Sequence, residues 1–281
     1  MPRRTSLAAG LLAAVWLAAR PAPARGADLD LFPRPNEIFP RLIADPRQIQ
    51  LSASYYRLDG QNTSDIALGH SWGMTRWRSG SMLEWLWETD VEGMAYSRFR
   101  LGGGINEFET VDFFADLPLT VRRGGIAFKG ALFHESSHLG DDYIRRTGQT
   151  GYRYSTEGLS GLASLDAGPW VRLYGGGEWL LHRIPATKRW TLETGFELTS
   201  PDLGWSKQAP IRLFLGEDLQ SHQRVQWNLD SHTVAGVRFG FRRNPTRSLR
   251  VQAGYFTGHS PYGQFFAQKT HYADLSVVFE L

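Results

Sequence analysis

The segment Ile126-Ala127-Phe128-Lys129-Gly130-Ala131-Leu132-Phe133-His134-Glu135-Ser136 alternates between two chemistries. Successive side chains of a β-strand point to opposite faces, so Ile126, Phe128, Gly130, Leu132, His134 and Ser136 share one side. Lys129, Phe133 and Glu135 take the other. The first face is an apolar stripe that ends in an imidazole and a hydroxyl two residues apart. Two questions follow: whether the stripe faces lipid, and whether its polar end does chemistry.

The same period runs through the rest of the chain. Leu51, Ala53 and Tyr55 oppose Ser52 and Ser54; Ile66, Leu68, His70 and Trp72 oppose Ala67, Gly69 and Ser71. Leu83, Trp85 and Trp87 oppose Glu84 and Glu88, and Val111, Phe113, Ala115 and Leu117 oppose Asp112 and Asp116. Further on, Val171, Leu173 and Trp179 oppose Arg172 and Glu178, while Trp190, Leu192 and Phe196 oppose Glu193 and Glu197. Ile211, Val237, Leu249 and Leu275 open four more such segments. With those at Ala127 and Leu159 the count is 12 strands, an even number as an antiparallel barrel with both ends on one side requires.

This predicts an all-β fold, an antiparallel transmembrane β-barrel of 12 strands. A soluble barrel or sandwich also alternates. The charges on the second face weigh against it, because Arg172, Glu178, Glu193, Glu197, Arg212 and Arg238 could pair inside a barrel as a salt-bridged plug. Trp72, Trp85, Trp87, Trp179 and Trp190 sit where interfacial girdles belong. Short turns near Ser79, Arg123, Gly168, Asp202 and Asn244 would lie on the inner side, and longer loops near Asn106, Asp141, Lys188, His222 and Gly263 on the outer.

The chain's address agrees. Arg3 and Arg4 precede the apolar run Leu7 to Ala19, and Ala22-Pro23-Ala24 has the form of a cleavage site, so residues 1–24 read as a signal peptide. Residues 25–48, with Pro33, Pro35, Pro40 and Pro46, read as a periplasmic leader below or across the first strand, and residues 49–281 as the barrel in the bacterial outer membrane. The formal charge of +3 becomes neutral once Arg3, Arg4 and Arg20 leave, and with no basic block a nucleic-acid partner is excluded. There is no cysteine, so packing and hydrogen bonds alone hold the exported chain together.

In this topology the strand through His134 runs upward, which sets His134 and Ser136 at the outer rim. The following strand carries Leu159, Gly161, Ala163 and Leu165 on its apolar face, and the same period extended upward gives Ser155 and Glu157. Serine hydrolysis needs a base beside the nucleophile and a group to orient that base. Ser136, His134 and Glu157 are the residues for those three roles. Asp141 and Asp142 in the next loop offer ligands to a hard cation such as calcium, short of a complete site. Gly102, Gly103 and Gly104 lack the Lys-Ser/Thr and the helix that a phosphate cradle needs, and His70 has no catalytic partner.

Phe32-Pro33-Arg34-Pro35, Ile43-Ala44-Asp45-Pro46-Arg47, Phe133-His134-Glu135-Ser136-Ser137-His138-Leu139-Gly140-Asp141 and Gly263-Gln264-Phe265-Phe266 together resemble the uncharacterised bacterial family called domain of unknown function 1207. That resemblance spans nearly the whole mature chain and implies no activity. Phe133-His134-Glu135-Ser136 also resembles the active strand of outer-membrane phospholipase A, a 12-stranded calcium-dependent lipase, and of the outer-membrane lipid A deacylases. The likeness implies an outward His-x-Ser pair with Ser136 as nucleophile, and outer-membrane phospholipid or lipid A as substrate. Where the phospholipase pattern has Asn and Gly this chain has Ser137 and His138, and where it has an orienting Asn there is Glu157, as in the deacylases. A pore or transporter, and a structural or interaction barrel, are the other classes that this sequence fits.

Overall fold

The computed structural model describes residues 29–34, 38–79, 84–102, 106–207, 209–241 and 244–280. The signal-peptide reading of 1–24 falls outside them, as do Leu83, Gly103, Gly104 and Leu281. A short strand β1 (Leu29–Leu31) precedes twelve long ones. These are β2 (Leu51–Leu58), β3 (Gln61–Ser79), β4 (Trp85–Leu101), β5 (Glu107–Arg123), β6 (Ile126–Leu139) and β7 (Tyr154–Asp166), then β8 (Val171–Ile184), β9 (Trp190–Thr199), β10 (Ile211–His222), β11 (Leu229–Phe241), β12 (Asn244–His259) and β13 (Lys269–Glu280). Every neighbour is antiparallel, and β13 pairs with β2, so the sheet closes into a barrel. The β2–β3 hairpin turns on Asp59 and Gly60, both with positive φ, the turn whose twist matches the strands.

The wall has the polarity that the alternation predicts. Leu68, Phe113, Ile126, Phe128, Leu173 and Leu275 are exposed on the outside, while Asp65, Glu88, Arg98, Asp112, Arg172 and Arg250 are buried within. This is the reverse of a soluble barrel. Lipid demands it, since a closed antiparallel sheet leaves no unpaired backbone edge and an apolar exterior needs no water. We call the end that carries the β6–β7 connection the upper mouth and the end with the β5–β6 turn the lower. Upper connections are mostly longer and most lower ones short, as expected; the long lower one is 200–210, between β9 and β10.

The segment expected beneath the first strand is inside the barrel instead. β1 pairs with the lower part of β3, Leu29 opposite Trp77, in the place that β2 would take if it were longer. From there the chain enters the lumen, where Ile38, Leu42, Ile43, Ala44 and Ile49 are almost wholly buried. Its prolines keep it out of the ladder, so its carbonyls are free to accept, and inward arginines supply the donors. Arg122 Nη1 donates to Ile38 O at 3.2 Å, Arg172 Nη1 to Pro40 O at 2.8 Å and Arg250 Nη1 to Ile43 O at 3.2 Å. His232 Nδ1 donates to Ala44 O at 2.6 Å, and Arg47 Nη2 pairs with Glu135 Oε2 at 2.7 Å. Residues 38–50 are therefore a cork. The expected salt-bridged interior is present in part: Arg172 pairs with Glu197 at 2.6 Å and Arg238 with Glu280 at 3.2 Å, but Arg212 is exposed.

A second segment folds into the upper mouth. The β12–β13 connection makes a short 3₁₀ turn at Gly263–Phe265, with Tyr262 completely buried. Tyr262 stacks on Tyr96 with ring centroids 4.7 Å apart, and the Arg98 guanidinium lies 4.2 Å from its ring centre. Gln264 N donates to Ser137 Oγ at 3.0 Å, and Gly263 N to Asp112 Oδ2 at 2.8 Å. This loop is a lid.

Replacing Arg172 by Ala leaves Glu197 buried without its cation and two cork carbonyls without donors. The expected loss is about 3–5 kcal/mol, as for one partner removed from a buried pair. The midpoint of urea unfolding from lipid vesicles measures it, and the Arg172→Met/Glu197→Met double variant should lose less.

Candidate functional site

Cross-strand partners share a face, so the register decides which side chains meet. β6 and β7 pair with Leu132 opposite Leu159, His134 opposite Glu157 and Ser136 opposite Ser155. All six point outward. His134 Nδ1 lies 3.3 Å from Glu157 Oε1, with the two side chains 44% and 38% exposed, which places the pair on the outer surface and not in the lumen. Two of the three residues expected together are thus in contact. Ser136 lies one outward step above His134, and among the described residues its hydroxyl has no hydrogen-bond partner. The connected chain runs from Glu157 to His134 and stops short of Ser136.

A second imidazole belongs to this surface, and counting residues would place it on the wrong face. Trp179 is outward, so parity alone turns Leu181 outward and His182 inward. A register shift between Glu157 and Gly158 sets His182 directly across from Glu157, exposed. Glu157 is flanked by His134 on β6 and His182 on β8. The irregularity is possible because residue 158 has no side chain: a Cβ there would come within 2.7 Å of the Phe133 ring and of Trp179 O.

Below the polar row the surface is apolar. Leu132, Leu159 and Trp179 form the next row down, and Trp179 lies beside Trp190 with centroids 6.2 Å apart. Beneath them Gly130, Gly161 and Gly177 are mutual partners, which leaves a shallow indentation in the wall. Tryptophans of this kind collect at the boundary between hydrocarbon and headgroups. His134, Glu157 and His182 sit one row above Trp179.

Asp141 and Asp142 open the short helix α1 (Asp141–Thr147) in the β6–β7 connection. Asp142 accepts Phe108 N at 2.9 Å and also pairs with Arg145; that backbone hydrogen bond and then the guanidinium hold its carboxyl below the usual range. Its Oδ2 ties α1 to β5 and its Oδ1 pairs with Arg145 inside α1, so both oxygens are engaged. The described carboxylates that do approach one another are Asp45 of the cork, Glu193 of β9 and Asp218 of β10, whose oxygens lie within 4.8 Å. They face the lumen and have no contact with the outer pair. Spacing along the chain carries no sign of this trio, because Asp45 joins it only through the path of the cork. His70 meets Trp72 edge-on at 4.9 Å, and His138 meets Phe113 at 6.1 Å.

The register itself can be tested, since the chain has no native cysteine. His134→Cys with Glu157→Cys should oxidise to an intramolecular crosslink. Leu132→Cys with Glu157→Cys, one step out of register, should not, as read by the mobility of the unfolded chain.

Residues 29–281 match the model of the family described as Protein of unknown function (DUF1207), and the chain belongs to that family. No curated protein matches it. The expected likeness to outer-membrane phospholipase A and the deacylases is not shown by these comparisons. Among solved structures, a KdgM porin is similar with a TM-score of 0.43 and 8% identity, over 83% of this chain and 99% of that one. A bacterial polysaccharide outer membrane secretin has a TM-score of 0.38 and 10% identity, over 83% and 97% of the two chains. Pseudomonas aeruginosa OprD has 0.31 and 8%, over 90% and 94%.

Proposed function

We propose that this chain is an integral outer-membrane barrel whose lipid-facing surface hydrolyses acyl esters of outer-membrane lipids. The observation that carries the reading is the His134–Glu157 contact beside Ser136 on the outside of the wall. Glu157 accepts the Nδ1 proton and leaves Nε2 of His134 as the base. As Ser136 Oγ attacks the acyl carbon, its proton passes to His134 Nε2, and the carbonyl electrons move to the oxygen. Collapse of that intermediate expels the alcohol, which takes the proton from His134, and leaves the acyl group on Ser136. Water then attacks by the same route and releases the fatty acid. The Ser136–His134 hydrogen bond forms when substrate settles over the pair, as catalytic bonds commonly tighten in the complex.

The wall limits how the oxyanion is held. Backbone N–H groups of a closed barrel are spent on the ladder, so the donor is a side chain, a water or a bound cation and not a strand amide. The substrate reaches the site laterally from the leaflet: ester groups of a phospholipid or of lipid A lie at the level of the Trp179 girdle and the acyl chain beneath it.

A polar cavity of about 120 Å³ between the cork and the wall, lined by Glu92, Asp116, Lys129 and Glu178, favours a second reading, a gated passage. The two tests are separate. For the hydrolase, purified protein in detergent releases fatty acid from phospholipid or lipopolysaccharide. Ser136→Ala abolishes release and His134→Ala lowers it by about 10²–10⁴. Glu157→Gln costs less than Glu157→Ala, because its amide oxygen still accepts from Nδ1. Release by Ser136→Ala equal to wild type sinks the proposal. For the passage, the intact barrel in a planar bilayer stays closed and Arg172→Ala/Arg250→Ala, which frees the cork, conducts; equal silence of both removes the channel reading.

A further inference from the structure

We infer that Arg153 and His138 form a binding site for the phosphate of an anionic lipid headgroup, directly above the acyl-transfer residues. The inference rests on the hydrolase reading for the word substrate, and on the register for the site itself. Ser136 pairs with Ser155 and Ser137 with Tyr154, the last pair of the ladder; the same period extended by one residue brings His138, near the end of β6, opposite Arg153, which immediately precedes β7. Both fall on the outward face, both are exposed, and among the described residues neither the guanidinium nor the imidazole nitrogens have a hydrogen-bond partner.

The neighbouring arginines are committed elsewhere. Arg145 pairs with Asp142, Arg146 bridges Glu107 and Glu109 at 2.6 and 2.5 Å, and Arg183 donates to Thr187 O. Arg153 is left as a free guanidinium at this rim, of the kind that binds phosphate through two parallel hydrogen bonds.

The vertical order of rows matches the anatomy of a phosphate-bearing acyl lipid. Same-face residues on a strand are separated by roughly 7 Å along it. Leu132 and Leu159 mark the acyl level, His134, Glu157 and Ser136 the ester level, and Arg153 with His138 the next level toward water. In a glycerophospholipid the phosphate likewise lies one such step above the ester carbonyls. A zwitterionic lipid brings its own ammonium to the phosphate, so an anionic headgroup is favoured by the uncompensated guanidinium.

Native mass spectrometry of the full chain tests this, with phosphatidylglycerol and phosphatidylcholine as probes and Ser136→Ala as background so that binding is read without turnover. The preference for phosphatidylglycerol should fall about threefold on Arg153→Gln, the size an exposed charge contact supplies, and return with Arg153→Lys. An unchanged preference in Arg153→Gln overturns the site. Full displacement of phosphatidylglycerol by inorganic phosphate also overturns it, since the ligand is then a free anion and not a lipid. If wild type releases no fatty acid but the preference still falls, the hydrolase reading fails and the lipid site stands. If fatty acid is released with the preference unmoved, the reverse holds.

Discussion

A barrel that turns its apolar side chains to lipid must turn its charges inward, and an isolated charge in a protein interior is costly. Everything inside this chain answers to that constraint. Arg122, Arg172 and Arg250 project from three separate strands, and each donates to a carbonyl of the cork. The cork can accept because its prolines deny it a ladder of its own. Residues that break secondary structure thus serve as a source of free carbonyls, and the arginines that would otherwise line an empty lumen become its anchors. Hydrogen bonds to ionised donors are about twice as strong as neutral ones, so an irregular segment can be fixed without forming an element.

Strand β6 shows how that interior reaches the outer face. Its residues alternate sides one by one: His134 outward to Glu157, Glu135 inward to Arg47 of the cork, Ser136 outward, Ser137 inward to Gln264 of the lid. A strand cannot rotate or slip by one residue without exchanging its two faces. Cork and lid therefore hold the register that brings His134 opposite Glu157. A filled lumen is the support that the proposed site on the wall would need, because a lipid-facing surface has no second layer of protein outside it to fix its geometry.

Period-two alternation made the wall legible, together with the outward parity of His134, Ser136 and Glu157, because parity depends only on counting along a regular strand. Glu157 was reached by extending one strand upward, and the register puts it across from His134. What counting missed lies where regularity fails. His182 faces outward through the irregularity at Gly158, and the lid's grip on Ser137 depends on a loop folding inward. The cork reads as a leader because proline marks the absence of a strand and not where the chain goes instead. Glu193 and Asp218 meet on the paired strands β9 and β10, and Asp45 joins them only through the cork's path.

The position of the polar row also bears on what it is for. A histidine and a carboxylate facing hydrocarbon would be expelled by their desolvation cost, and one facing bulk water needs no partner. His134, Glu157 and His182 stand between these limits, one row above Trp179. On the proposed reading, partial removal from water strengthens the His134–Glu157 contact while leaving both side chains open to a substrate. A rim that only met headgroups would be served by any polar side chains. Here a carboxylate lies directly across from an imidazole, the orienting half of the arrangement that the proposed chemistry needs; the other half, a bond from the imidazole to the Ser136 hydroxyl, is what substrate would have to bring about.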